Sequence, residues 1–195
     1  MKDIFTGKLV RLSAFDAEEM SKAFPRWFQN SEYVRLLNSS ARPMQSSKAA
    51  LKWMEKEAEE MSLENYYFSI RTLAEDKLIG EIGLEVVNWP GRDAFVGLGI
   101  GETDYWSKGY GTDVMNVLLR FAFTEVNLRR VTLTVFEYNP RAIRSYEKAG
   151  FRHEGRLRRL LNREGGRWDE LFMGILRYEW RELNVPIVAE AAVGA

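Results

Sequence analysis

Between Ala94 and Gly101 every second residue from Gly97 onward is glycine, while Val96, Leu98 and Ile100 between them are apolar. In a strand the side chains alternate, so Gly97, Gly99 and Gly101 share one bare face and the apolar residues share the other. A strand with a bare face is weakened. The pattern therefore demands a reason: a bulge, a helix packed hard against the backbone, or a ligand lying on it.

The segment that follows narrows the choice. Tyr105-Trp106-Ser107-Lys108-Gly109-Tyr110-Gly111-Thr112 leads into a helical pattern from Tyr110 to Val126, with Val114, Val117, Leu118, Phe121 and Ala122 as its apolar stripe. A glycine-bearing loop that opens a helix leaves amide donors unpaired, and the helix dipole adds positive potential there. Such a corner suits a pyrophosphate. The spacing is neither a P-loop nor a dinucleotide-binding fingerprint, because the Lys-Ser/Thr pair of the first and the third glycine of the second are missing.

A second segment carries chemistry as well, from Asn139-Pro140-Arg141-Ala142 through Tyr146-Glu147-Lys148-Ala149-Gly150-Phe151. Asn139 is a natural N-cap, Pro140 fits the first helical position and Gly150 the C-terminal cap. Tyr146 lies two turns along the same helix, so one helix can aim an amide and a phenol at a common ligand.

Around these segments the chain reads as one domain, 1–183, with a small apolar tail, 184–195. A first strand is expected over Lys8–Leu12. A helix capped by Asp16 should run through Ala17, Met20, Phe24 and Phe28 and be kinked or broken near Phe24 by Pro25. A second helix should run from Ser46 or Ser47 through Leu51, Met54, Ala58 and Met61. Strands are expected at Tyr66–Thr72, Leu78–Val87, Ala94–Gly101, Arg130–Phe136, Phe151–Leu161 and Arg167–Tyr178, with helices at Tyr110–Val126 and Asn139–Ala149. An antiparallel run followed by strand–helix–strand–helix–strand makes an α+β, mixed-sheet domain.

Composition sets the remaining bounds. The 195 residues contain no cysteine and one histidine, His153, which excludes disulfides, thiol nucleophiles, thiolate metal sites and a multi-histidine metal site within the chain. Lys and Arg total 28 and Asp and Glu total 28, so no global field draws nucleic acid or an anionic membrane. The N-terminus has no long apolar run, and no stretch approaches a membrane span. A cytoplasmic location is expected.

Taken together, the two motifs resemble the GCN5-related N-acetyltransferase (GNAT) superfamily. Trp106-Ser107-Lys108-Gly109-Tyr110-Gly111 is similar to its (Gln/Arg)-x-x-Gly-x-(Gly/Ala) loop at both glycines, with Trp106 in place of the usual first residue. Asn139 to Phe151 matches the family's second block throughout. The resemblance covers Lys8 to Arg181. Leu9–Phe15, Glu154-Gly155-Arg156 and Trp168-Asp169-Glu170 look most like the RimJ/RimL branch, whose members acetylate ribosomal-protein N-termini, spermidine and other small amines.

The resemblance implies a central, mostly antiparallel sheet splayed at a parallel strand pair and flanked by helices. It implies acetyl-CoA as co-substrate, no metal, and direct transfer to an amine within a ternary complex. Gly99, Ile100 and Gly101 would pair with the pantetheine and supply an oxyanion donor; Trp106, Ser107, Lys108, Gly109, Tyr110, Gly111 and Thr112 would hold the pyrophosphate. Asn139 would contact the pantetheine or an ordered water. Tyr146 would touch the coenzyme and protonate the leaving thiolate. Glu81, Glu85, Glu102, Glu32 and water all remain open as the general base, and His153 reads as structural. Trp27, Tyr33, Trp53, Tyr66, Tyr67, Trp89 and Trp168 are aromatics enough to line an acceptor pocket. The expected partners are acetyl-CoA and an amine, the latter including a ribosomal or other protein N-terminus, with no membrane or nucleic acid. A homodimer is compatible with the aromatic surplus and the apolar tail. Two other readings stay open: an acyl-CoA sensor without turnover, and an RNA- or ribosome-associated module using Arg152, Arg156, Arg158, Arg159, Arg163 and Arg167.

Overall fold

The computed structural model describes residues 3–59 and 62–184, leaving aside the side chains of 57 and 58. The expected helix residue Met61 and the tail after 184 lie outside the described residues. Strand β1, Val10–Ala14, is followed by helices α1 (Ala17–Trp27), α2 (Ser31–Leu37) and α3 (Ser47–Glu59). Then come β2 (Asn65–Thr72), β3 (Leu78–Asn88), β4 (Asp93–Ile100), a short 3-10 turn, α4 (Tyr110–Thr124), β5 (Arg130–Phe136), α5 (Pro140–Lys148), β6 (Arg152–Arg163), β7 (Gly166–Leu176) and α6 (Arg177–Leu183). Among the described residues no helix is long and apolar enough to cross a membrane.

Seven strands make one sheet in the order β1-β2-β3-β4-β5-β7-β6. All neighbours are antiparallel except β4 and β5, which α4 joins as a crossover. This is the α+β mixed sheet the sequence led us to expect. The parallel pairing covers only Asp93–Arg130, Ala94–Val131 and Phe95–Thr132. Beyond Phe95 the two strands part, and the sheet opens in a V.

Each face of the sheet is covered by different helices. On one, Ile82, Leu84, Val96, Val131, Leu133 and Val135 pack with the apolar stripe of α4 and with Tyr146 and Ala149 at α5. The other carries a smaller core of Met20, Phe24, Trp27, Tyr33, Met54 and Leu78, brought mainly by α1, α2 and α3. The start of β1 is tied to α4 by Asp113, whose carboxylate accepts the N–H groups of Lys8, Leu9 and Val10 at 2.7–3.1 Å.

Three expectations need correction. Helix α1 does not break near Phe24: Pro25 sits in its last turn, where the missing N–H forfeits one bond, and the helix runs on to Trp27. Helix α2 was not expected; it is started by Asn30, whose side chain accepts from the N–H groups of Glu32 and Tyr33 at 3.0 and 3.2 Å. The last strand ends at Leu176 rather than Tyr178, because Glu179 reaches back to accept the Leu176 N–H at 2.9 Å and turns the chain into α6.

Candidate active site

The V between β4 and β5 is the throat of a cavity of about 920 Å3. Its lining comes from both faces of the sheet. Ser107, Gly109, Gly111, Asn139, Ser145 and Tyr146 belong to the loop and the α4–α5 side, whereas Tyr33, Tyr67, Glu81, Gly83 and Glu85 belong to the face beneath α1 and α2. The cavity therefore passes through the sheet where the ladder stops.

On the α4 side the loop is shaped to present amides. Ser107 and Gly109 both have positive φ, 59° and 90°, and Gly109 is the N-cap of α4. A glycine has no side chain to cap the helix, so the amides of the first turn, Tyr110 to Thr112, are left for another acceptor. The first turn abuts α5, since the hydroxyls of Thr112 and Ser145 lie 2.9 Å apart and a Cβ on Gly111 would stand 3.1 Å from Ser145 Oγ. Arg141, Arg144 and Lys148 line the same wall from α5.

Trp106 locks the loop to the strand. Its indole N–H donates to the Ile100 carbonyl at 2.7 Å, and the Arg141 guanidinium lies 3.6 Å over its ring. Burial holds the Arg141 pKa below the usual arginine value, with Glu32, 3.9 Å away, pulling the other way.

The glycine face has two explanations. A Cβ on Gly99 would stand 2.6 Å from the Tyr33 hydroxyl, and one on Gly101 would stand 2.0 Å from the Trp27 ring. At these positions the strand is bare because helices pack on it. Gly97 faces open space. Gly101 does not line the cavity, and its N–H bonds to the Ile79 carbonyl at 2.9 Å. By alternation Gly99 also turns its backbone groups toward β3, so of the three residues expected to meet a pantetheine, Ile100 is the one whose backbone faces the V. Lys108 and Tyr110 of the expected loop set likewise lie off the cavity wall, and Gly99, Ile100, Trp106, Ser107, Gly109, Gly111, Thr112, Asn139 and Tyr146 lie on it.

Asn139 caps α5 through Oδ1, which accepts the Ala142 N–H at 3.1 Å, and the residue lines the cavity. Tyr146 is 8% exposed, and burial pushes its pKa up to about 12. Tyr33 is buried with its hydroxyl unpartnered, and its pKa is raised well above 10 by burial first and the Glu81 charge second.

The carboxylate candidates separate. Glu81 and Glu85 line the cavity. Glu102 is held outside it by Arg26, by Lys77 at 3.4 Å and by the Trp27 indole N–H at 2.7 Å. Glu32 is also off the wall and two-thirds exposed. Glu170, the last residue of the Trp168-Asp169-Glu170 motif and paired across from Phe136, joins the lining, a placement that no periodic signal in the sequence marks. Of the aromatics, Tyr33, Trp53 and Tyr67 line the cavity, and Trp27, Tyr66, Trp89 and Trp168 do not. His153 is on the surface beside Glu147 at 3.1 Å. Within the arginine cluster, Arg152 pairs with Glu179 and Arg156 with Asp169, and Arg163 donates to the Asn38 carbonyl.

Comparison with known families matches residues 9–152 to the acetyltransferase (GNAT) domain. The chain belongs to the GNAT acetyltransferase family. The match includes the 106–112 loop, Asn139 and Tyr146, and Glu170 lies beyond it. Among relatives in Bacillus subtilis, the SPbeta prophage-derived uncharacterized N-acetyltransferase YokL is 38% identical over 80 residues, 41% of this chain and 45% of that protein. The "Probable N-acetyltransferase YjcK" is 32% identical over 114 residues, 58% of this chain and 62% of that protein. The match thus spans less than two thirds of the length of either relative. The fold is similar to a spermidine N-acetyltransferase from Vibrio cholerae solved with CoA and spermine: TM-score 0.75, 23% identity, 88% of this chain and 97% of that one. It is also similar to a GNAT-family acetyltransferase from Bacillus anthracis: TM-score 0.73, 20% identity, 89% of this chain and 98% of that one.

Proposed function

We propose that this GNAT-family chain is an N-acetyltransferase that moves the acetyl group of acetyl-CoA directly to a primary amine. The observation that carries the reading is the through-sheet cavity with opposite charge at its two ends. Arg141, Arg144 and Lys148 stand at the α5 end beside the uncapped α4 amides, and Glu81 and Glu85 stand at the β3 end; Glu170 of β7 and Arg42 of the segment after α2 complete the charged lining. A polyanionic donor and a cationic acceptor can enter from opposite faces and meet only in the V. Holding both reactants there replaces a bimolecular encounter with a positioned one.

Acetyl-CoA supplies the thioester. The amides of Tyr110, Gly111 and Thr112 take the pyrophosphate, and the Ile100 backbone and Asn139 Nδ2 face the pantetheine. Glu81 or Glu85 takes a proton from the bound ammonium, which frees the lone pair that attacks the thioester carbon, and the second proton, shed as the N–C bond is completed, passes to water or back to the Tyr146 phenolate. Tyr146 gives its proton to the sulfur as the C–S bond breaks. Glu102, ion-paired outside the cavity, is not assigned the base role. Similarity to a polyamine acetyltransferase supports a polyamine among the acceptor classes; the carboxylates suit any primary amine.

The test is acetyl transfer from acetyl-CoA to a peptide N-terminus, a polyamine, an aminoglycoside and an amino acid, followed as free thiol with the product mass checked. The expected result is amine-dependent thiol release with at least one class. Binding of acetyl-CoA with no thiol release above the amine-free rate would refute transfer and leave the sensor reading.

A further inference from the structure

The glycines on the α1–α2 face of β3 and β4 have unequal reasons to be glycine. Gly99 and Gly101 lie beneath Tyr33 and Trp27, and a Cβ on Gly83 would stand 2.7 Å from the Tyr67 ring. A side chain at Gly97 would meet nothing within 4 Å. Packing does not require this glycine, and a bare residue weakens a strand. Gly97 is exposed, lines the cavity, and stands two residues past Phe95, where the pairing of β4 with β5 ends.

Its surroundings point to a ligand on this side. Gly97 pairs with Gly83 on β3, so the floor there is backbone on both strands. Glu81 and Glu85 flank Gly83 two residues to either side, roughly 7 Å along the strand. Gly97 is thus a side-chain-free window between two carboxylates at the narrow end of the V. A cationic amine drawn in by those carboxylates reaches the V by crossing the window.

We propose that Gly97 is the port through which the amine acceptor reaches the opening between β4 and β5, and that the bulk at this position sets which acceptors are used. The proposal rests on the N-acetyltransferase reading. It concerns the acceptor alone, because the loop, Asn139 and Tyr146 lie on the other face.

The test compares wild type with Gly97→Ala and Gly97→Val, and with Gly155→Val as a control. Gly155 also meets nothing within 4 Å and lies on β6 away from the cavity. Each protein is assayed for thermal midpoint, acetyl-CoA affinity, and kcat/KM toward each of the four amine classes. Both Gly97 variants should keep or raise the midpoint and hold wild-type affinity for acetyl-CoA. Their kcat/KM for amine should fall about 10-fold for Ala and about 100-fold for Val, the scale of a misplacement near 1 Å. Gly155→Val should match wild type. Unchanged amine kinetics in Gly97→Val overturn the port and leave the N-acetyltransferase reading standing. A parallel loss of acetyl-CoA affinity overturns it too, since Gly97 would then face the donor. Absence of transfer by wild type to all four classes overturns both. If the Val variant fails to fold, Gly97→Ala carries the same comparison.

Discussion

Replacing Tyr146 by Phe removes one oxygen and tests the assignment of the proton donor. The ring stays in place, 6.1 Å from Phe151. Burial is what raises this phenol's pKa to about 12, and no hydrogen bond or neighbouring charge adds to it. The hydroxyl therefore holds nothing in the fold, and the variant should match wild-type stability at neutral pH to within about 0.5 kcal/mol. With a pKa near 12, the ionised fraction at pH 8 is on the order of 1 in 10,000, so the proton is present wherever the reaction is measured. A solution thiol is more acidic than that, which would make transfer to sulfur uphill; but the dry site that raises the phenol also raises the thiol. Losing a positioned acid costs about 100- to 10,000-fold in kcat, or about 3–5 kcal/mol of barrier. The assay is amine-saturated thiol release alongside calorimetric acetyl-CoA affinity. Stability gives a second check. The folded pKa lies above the unfolded value of about 10, so the contribution is complete below pH 10 and is lost as the pH rises toward 12, on the order of 3 kcal/mol in all. Tyr33 is raised as well and persists in the variant, so the difference between the two alkaline curves isolates Tyr146. Near-wild-type kcat with coenzyme affinity intact would refute the acid role.

Asn139→Ala should lose about 1 kcal/mol of stability with the α5 cap, and should also bind acetyl-CoA more weakly; a stability loss alone would reduce the residue to its capping role. Asp113→Ala strands the Lys8, Leu9 and Val10 amides and should cost about 3 kcal/mol in denaturant unfolding, with acetyl-CoA affinity preserved at temperatures where the variant stays folded. Glu81→Gln and Glu85→Gln should lower kcat/KM for the amine, at least one of them severely, and Glu102→Gln should leave amine turnover near wild type; the reverse pattern would move the base outside the cavity.

What was legible in the sequence was local. A glycine before a helical stripe, an Asn-Pro helix start and a β-branched strand each state their own backbone geometry, and Gly109, Asn139 and β5 stand where those signals put them. Helix α2 is not legible in the sequence because its seven residues bury one side chain, Tyr33, which is too little for a periodic stripe; only its start signal, Asn30, is present. The start of α6 is hidden because the strand pattern runs on through Tyr178, and the reach of Glu179 back to Leu176 leaves no mark in a period. The glycine face shows the same limit from the other side. Its bareness is visible in sequence, but whether Trp27, Tyr33 or a ligand covers it depends on helices some seventy residues earlier. The carboxylates follow suit: the spacing of Glu81 and Glu85 puts them on one face of β3, and only the packing of α1 and α2 makes that face an open one.

The topology also bears on why the cavity runs through the sheet at the V. A turn holds β3 and β4 together at one end, whereas β4 and β5 are joined only through α4, so their ends can part without unmaking a turn. Parting exposes the backbone groups that would have paired. On β4 these belong to Val96, Leu98 and Ile100, by the alternation that gives Gly101 to Ile79. Trp106 satisfies the Ile100 carbonyl with its indole N–H, at the point where the strand turns into the loop. The groups of Val96 and Leu98, nearer the narrow end, are spaced as a strand's groups are and suit an extended chain bearing amides. Gly97 lies between them with its bare side toward the opposite face. On the proposed reading, one short stretch of strand offers hydrogen bonds along its edge to a donor and empty space on its face to an acceptor, and the alternation of the peptide backbone keeps the two apart until they meet.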